Sequence, residues 1–366
     1  MRLSWTLSLY FGRQFVIGFA GALVVLAALV FLFDFIETLR RASGRSGISV
    51  FQVAGLALLQ LPVLMQKLLP FAALFGGMFT FSRLTRTNEL AVARASGVSV
   101  WQFMLPAALI AVGIGAFVVT TFNPLSAATT DRHEQLEARY LHGRPSLLAL
   151  SSTGIWLRQA DDDGQSVIYA QSISQQGLTF NGITIFLYHG ETPDTFTGRI
   201  DARSGELAPG HWVLNNVVLT SPDKPAESVD RHELPTTLTL SQIQESFASP
   251  ETLSFWALPR FIDLLQRSGF AALKHRVHWH SILSTPLILF AMVLIAAAFS
   301  LRLTRRGGTA LLVAGGVAAG FLFYLMTDLV LALGLSGKVP ATLAAWAPAG
   351  ISTLLGLALL FHLEDG

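Results

Sequence analysis

Six stretches of this sequence are long, apolar and almost free of charge, and nothing else constrains the fold as strongly. A bilayer-crossing helix needs about 20 consecutive apolar residues, because lipid offers no partner for open backbone N–H and C=O groups. Gln14–Phe33 meets this requirement without one charge, bounded by Arg13 on one side and by Asp34, Glu37, Arg40 and Arg41 on the other. The run is too long for a cleaved signal peptide, and no small-residue cleavage site follows it. Lys67 divides the run from Ser46 to Ser82 into 21 and 15 uncharged residues, with Pro62 and Pro70 on either side of it. Two spans would leave the second too short, so the segment reads as an interfacial helix running into one span at about 62–83. Ala95–Thr130 has no charge and holds the third span at about 100–122. Ser281–Leu301, Thr309–Thr327 (extending to about 333) and Val339–Phe361 complete the set.

Between the third and fourth spans the material changes. Residues 125–275 carry 17 of the 23 acidic residues and 11 of the 25 basic ones, a net of −6, while the rest of the chain nets +8. Only 13% of all residues are charged and 52% are hydrophobic, against about 25% charged in a typical soluble protein. That balance excludes a disordered chain. The overall charge of +2 gives no reason to expect nucleic acid. With no cysteine, disulfides, iron–sulfur clusters and thiol catalysis are excluded. The expected architecture is an α-helical polytopic membrane protein, six transmembrane helices arranged 3+3, with an inserted antiparallel β-jelly-roll domain. The expected boundaries are 1–124, 125–275 and 276–366.

The insert reads as β flanked by helical stalks at 125–145 and 250–278. GIWLR (154–158), SVIYAQS (166–172), LTFNGITIFLYH (178–189), GRIDA (198–202), HWVLNNVVLTS (211–221) and LPTTLTL (234–240) are short, β-branched or aromatic, and punctuated by Gly, Pro, Asn and Asp. Loop charge sets orientation. With the N-terminus inside, cytoplasmic segments carry Arg2, Arg13, Arg83, Arg86, Arg94, Arg302, Arg305 and Arg306, against Arg40, Arg41, Arg45 and Lys338 outside. Both termini are therefore expected in the cytoplasm and the insert on the far side.

Catalytic motifs are scarce. There is no GxxxxGK[ST] phosphate loop, HExxH or GxSxG. One formal SxxK match, SPDK at 221–224, sits where Pro222 and Asp223 suit a turn rather than a catalytic helix. His275, His278 and His280 lie close in sequence but lack a carboxylate at metal-ligand spacing, and read as interfacial polar residues. Asp161–Asp163 reads as a solvated hairpin turn, since no further calcium-loop ligands follow. No catalytic residue, metal or cofactor is expected. Asp34, Lys67 and Asp328 lie at or near apolar spans, where an ionisable group is a functional hypothesis by default. All three are expected towards the outer side, and no proton pathway is inferred.

Two constellations remain. In the loop at 83–101, Thr87 or Asn88 is placed to cap a short helix at about 87–97, with Glu89 in its first turn, alanines at 91, 93 and 95, and Gly97 at its end. Its small-residue face could enter a groove on another protein, with Glu89 and Arg94 setting orientation; a capped linker helix is the simpler alternative. At the outer rim, Arg40, Arg41 and Arg45 follow span one, Arg132 and Arg139 leave span three, and Lys274 and Arg276 precede span four. Guanidinium groups suit bidentate phosphate contacts, and snorkelling at the interface is the alternative.

Three spans, an outer β domain, three more spans and a glutamate-bearing loop helix together resemble the LptF/LptG permease family of lipopolysaccharide export. TNELAVARASGVS (87–99) is similar to the family's coupling-helix segment. LLQRSGF (264–270) with HWHSILSTPL (278–287) looks like the re-entry into span four, and GFLFYLMTDL (320–329) like span five, both closest to the LptG branch. The resemblance implies a permease subunit of an ABC transporter in a Gram-negative inner membrane, with its β domain in the periplasm. It implies an LptB-type ATPase dimer, an LptF-type second permease and an LptC-type single-span protein as partners. Glu89, Arg94 and Arg86 would meet the ATPase. Arg40 and Arg41 match cationic positions that meet lipid A phosphates, and Arg132 matches a gate-region cation. Arg45, Lys274 and Arg276 join them on the rim argument alone. One departure stands out: Asp34 occupies a position where LptG members carry a lysine, and Arg45 is the candidate to compensate. The alternatives are an LptF-type paralogue, or a membrane-anchored scaffold or enzyme of the envelope that works without an ATPase.

Overall fold

The computed structural model describes residues 5–43, 49–142, 155–161, 164–173, 179–189, 195–222, 224–236, 249–267, 272–303 and 309–364. Helix α1 spans Trp5–Ala42, α2 Val50–Arg86, α3 Glu89–Ala95 and α4 Val100–Phe117. A π-helical turn at Val118–Phe122 leads into α5, Asn123–Glu137, and a second at Ala138–His142 follows it. After the strands come a 3-10 turn at Pro250–Thr252, then α6 (Leu258–Arg267), α7 (Leu273–Leu303), α8 (Thr309–Leu335) and α9 (Ala341–Glu364). Among the described residues, six helical segments are long and apolar enough to cross a membrane: Trp5–Ala42, Val50–Arg86, Val100–Tyr140, Leu273–Leu301, Val313–Leu335 and Ala341–His362.

The helices start where local chemistry satisfies their first N–H groups. Ser49 and Gln52 form a reciprocal capping box at the start of α2, and Ser99 and Gln102 repeat it at the start of α4. The interfacial helix and span expected at 46–83 are one unbroken helix, with Pro62 and Pro70 inside it. Packing by neighbouring helices makes such prolines tolerable in a membrane. The third span continues past its expected end through the π turn into α5. The cause lies in the sequence: Pro124 has no N–H to offer the carbonyl of Thr120, four residues earlier, and its ring crowds that carbonyl. The expected second stalk is likewise several pieces, the 3-10 turn, α6 and the first turns of α7.

The chain divides into two compact units: residues 1–133, 251–258 and 273–366 form one, 134–250 and 259–272 the other. In the helical unit α7 is the central member, with 61% of its apolar window buried, whereas α1 and α8 bury 17% and 11%. Leu289, Ala291, Val293, Leu294, Ala296 and Ala297 of α7 are closed off from solvent and meet α2, α4 and α9. Helices with no hydrophobic drive between them approach through small residues. A Cβ on Gly76 of α2 would lie 2.6 Å from the Cα of Phe19 in α1, and one on Gly115 of α4 would lie 2.5 Å from the Cα of Pro286 in α7. Across the α1–α2 contact, Thr80 Oγ1 lies 3.2 Å from the Gln14 carbonyl and 2.8 Å from that of Gly76.

The second unit holds a six-stranded antiparallel sheet: β1 Ile155–Asp161, β2 Gly164–Ile173, β3 Thr179–His189, β4 Thr195–Ala208, β5 His211–Ser221 and β6 Lys224–Pro235. Each strand pairs with its sequence neighbour, in the order β1 to β6. Ile168, Phe180, Ile183, Ile185, Trp212, Leu214 and Val217 fill one face, with Trp212 edge-on to Phe180. The sheet curls until its ends meet: Gln159 of β1 is hydrogen-bonded to Thr236 and to the Pro235 carbonyl at the end of β6. Two expectations need correction. Strand β4 runs well beyond GRIDA, and the polar KPAESVDRHELP, which the sequence reading left out of its strands, is β6. Leu234 and Pro235 close that strand, and of the expected LPTTLTL only residues 234–236 are among the described residues. Pairing with β5 makes β6 a strand despite its charged sequence. Ser221 of β5 pairs with Lys224 of β6, so SPDK falls at the connection between the two strands and not on a helix.

Candidate functional site

Helix α3 is anchored by two side chains and bounded by backbone geometry. Leu90 and Ala93 are 3% and 8% exposed and join the core that includes Phe11, Leu84 and Phe103. Ala91, Val92 and Ala95 face outward, Val92 being 69% exposed. Gly97 lies at φ 84, Gly97 N–H reaches the Arg94 carbonyl at 2.9 Å, and Val98 N–H reaches that of Ala93 at 3.1 Å. This is a Schellman ending, which requires a left-handed residue at the position Gly97 occupies. The expected side-chain cap at the other end is absent. Asn88 sits at φ 60 and makes no side-chain cap bond; it closes α2 in the left-handed conformation that asparagine tolerates, and opens α3 at the same time.

The side chain of Glu89 is held from two directions. Tyr10 Oη donates to its Oε2 at 2.8 Å, and Thr87 Oγ1 lies 2.8 Å from its Oε1. The carboxylate thereby ties α3 to the first turns of α1. Arg94 is half-buried, and Arg86 is exposed on the last turn of α2. Tyr10 was not among the sequence candidates; it lies 79 residues from Glu89, and no local pattern links them.

At the opposite end of the helical unit the cations are looser. Glu37 takes both Nε and Nη2 of Arg40 at 2.9 Å, with Arg41 Nε at 3.8 Å. Arg40 and Arg41 remain 75% and 44% exposed. Arg132, Lys274 and Arg276 are exposed, the latter two in the first turns of α7. Arg45 lies outside the described residues. The structure thus joins Arg40 and Arg41 through a carboxylate that sequence reading noted only as a flank. His275 is buried at the start of α7, and no cluster of three or more metal-ligating side chains occurs among the described residues.

The same end carries a strap, residues 249–258, that sequence reading missed. Lys67 pairs with Glu251 at 2.9 Å. Phe255 N–H donates to Asn123 Oδ1 at 2.7 Å, and the Phe255 ring stacks on Trp279. Trp256 Nε1 donates to the Thr120 carbonyl at 3.0 Å, the group that Pro124 leaves without its helical partner. An indole N–H replaces the missing backbone donor, and the strap is pinned to α2, the π turn, α5 and α7.

Among the described residues, three apolar spans precede the β strands in the chain and three follow them, with a short glutamate-bearing helix between the second and third spans. The sequence profile described as "Lipopolysaccharide export system permease LptF/LptG" covers residues 9–362. The chain belongs to the LptF/LptG family. It is 24% identical to the lipopolysaccharide export system permease protein LptG of Escherichia coli K12, over 96% of this chain and 97% of that protein. It is 21% identical to the protein of the same name from Haemophilus influenzae, over 94% of each. As an LptF/LptG member it is a multi-pass membrane permease of lipopolysaccharide export. In this permease, α3 and the exposed cations stand at opposite ends of one helical body.

Proposed function

We propose that this permease is the LptG-type subunit of an ABC transporter in a Gram-negative inner membrane, drawing lipopolysaccharide from the bilayer and passing it through a periplasmic β domain to a bridge of similar domains. Its termini and α3 lie in the cytoplasm, in keeping with the arginines in its short loops. An LptB-type ATPase dimer hydrolyses ATP and presses on α3. An LptF-type permease packs against the little-buried faces of α1 and α8, and an LptC-type single-span protein binds beside them. Phosphates of lipid A meet Arg40, Arg41 and Arg45, with Arg132, Lys274 and Arg276 around them. Acyl chains pack on the apolar helix faces until closure expels them.

The observation that carries the coupling reading is the two-sidedness of α3. Leu90 and Ala93 are locked into the core while Ala91, Val92 and Ala95 stand out from it, so force on the outer face moves the helices behind it. Glu89, Arg94 and Arg86 would orient the ATPase on that face. The test is a scan of residues 87–97 read as ATPase co-purification and lipopolysaccharide release. Val92→Asp and Glu89→Ala should each lower both by tenfold or more. Unchanged values for both variants would remove the docking role. The chain has no cysteine, so a single cysteine at residue 92 reports its side of the membrane directly.

A further inference from the structure

A second feature lies beside α3 and shares Arg86 and Thr87 with that end of α2. Phe75, Met78, Phe79, Ser82, Arg83, Arg86 and Thr87 of α2, with Val313 of α8, line a cleft of about 410 Å³. The volume falls within the range of small-ligand sites, about 300–1,000 Å³. The α2 residues recur at helical spacing, so they form one stripe of a single face. Along that stripe the chemistry changes in order: Phe75, Met78 and Phe79 at the deep end, then Ser82, then Arg83, Arg86 and Thr87 at the helix terminus. The cleft exists because α8 changes with it. Gly316 and Gly320 let α8 close on α2, so near that a Cβ would lie 2.8 Å from Met78 Sδ and 3.3 Å from Phe71. One turn further, Val313 replaces glycine and the helices part.

We infer that this cleft holds one anionic glycerophospholipid of the leaflet bordering α3, its acyl chain against Phe75, Phe79 and Val313 and its phosphate between Arg83 and Arg86. The wall is apolar almost throughout and Arg83 and Arg86 stand at its helix-terminal end, which is the order of chain and headgroup in a phospholipid and not in a soluble anion. Arg83 Nη1 donates to Gln14 Oε1 at 3.0 Å, which orients the guanidinium and leaves the other four of its five N–H donors for a phosphate. Basic pockets between membrane helices are recognised sites for anionic headgroups. Phe79 and Val313 are 63% and 53% exposed in the single chain, so an acyl chain reaches the cleft wherever the second permease leaves this part of α8 uncovered. The inference rests on α2 and α8 being membrane spans; it needs neither the ATPase contact nor the assignment of the cytoplasmic side.

Native mass spectrometry of the full chain, offered phosphatidylglycerol or phosphatidylcholine, tests it. One phosphatidylglycerol should be retained at least tenfold more strongly than phosphatidylcholine. The double variant R83Q/R86Q should lose that preference. Val313→Trp, which fills the floor and leaves both arginines in place, should lose retention of the lipid, and circular dichroism of this variant checks the fold independently. Equal retention of the two lipids, retention untouched by either variant, or displacement by inorganic phosphate alone would each overturn the inference. So would a photocrosslinker at residue 313 that captures a protein and no lipid.

Discussion

The two ends of the helical unit carry charge in opposite ways. At the α3 end, Glu89 is fixed by Tyr10 and Thr87, and its helix is anchored by two buried side chains and closed by a glycine in a left-handed conformation. At the strap end, Arg40 and Arg41 lean on one exposed carboxylate, and Arg132, Lys274 and Arg276 project outward. If α3 takes the load of an ATPase, as proposed, its geometry must be kept, since a lever that flexes delivers nothing. If the cations at the other end gather a flexible, multiply charged headgroup, as proposed, their charge need only be present there. The α3 end therefore holds its charge by backbone geometry and burial, whereas the cations at the strap end sit on exposed side chains beside a strap that is itself pinned through Phe255 and Trp256.

The sharpest way to break this contrast is to unseat α3. Ala93→Asp would place an unpaired carboxylate in the core that holds Leu84 and Phe103, at a cost on the order of 3–5 kcal/mol. It should abolish ATPase co-purification while the isolated permease still inserts, as protease protection of its helices would report. At the other end, Trp256→Phe keeps the ring and deletes the donor to the Thr120 carbonyl, costing about 1–2 kcal/mol. It should lower the thermal midpoint and expose the strap to limited proteolysis, with no effect on ATPase binding. If both variants disturb both ends alike, the ends are not separable. Gly97→Ala tests the backbone term alone, because alanine at φ 84 costs about 1–2 kcal/mol. It should weaken ATPase co-purification more than its small change in thermal stability suggests.

Much of this arrangement is legible in the sequence, and what escapes does so for physical reasons. The six spans are read directly, because the bilayer imposes a length and a composition on each. The antiparallel sheet is read from β-branched runs such as GITIFLY, and the end of α3 from Gly97. Strand β6 is hidden because KPAESVDRHE owes its conformation to hydrogen bonds with β5 and not to any apolar alternation of its own. The strap is hidden because Lys67 and Glu251 meet through folding, with no local signal at either. Two features were in plain view. Ser49 with Gln52 and Ser99 with Gln102 carry the spacing of a capping box, and Pro124 announces an orphaned carbonyl at Thr120. The first fixes the starts of α2 and α4, and the second explains both the π turn and the tryptophan that caps it.

The smallest expected effect is also the most informative about the loose end. Exposed ion pairs contribute little to stability, so Glu37→Gln should leave the thermal midpoint unchanged within error. It should nonetheless alter lipopolysaccharide binding, because the carboxylate occupies the same guanidinium edges that a phosphate would take. Removing it should strengthen crosslinking of lipopolysaccharide to residues near Arg40 by a few fold at low salt. That gain should shrink as ionic strength rises and the Debye length falls to about 8 Å at 0.15 M. Arg40→Gln should shift binding the other way by a similar factor. A Glu37→Gln variant that loses stability instead would mean that the carboxylate orders this end of α1, and the contrast between a fixed end and an adjustable one would fail there.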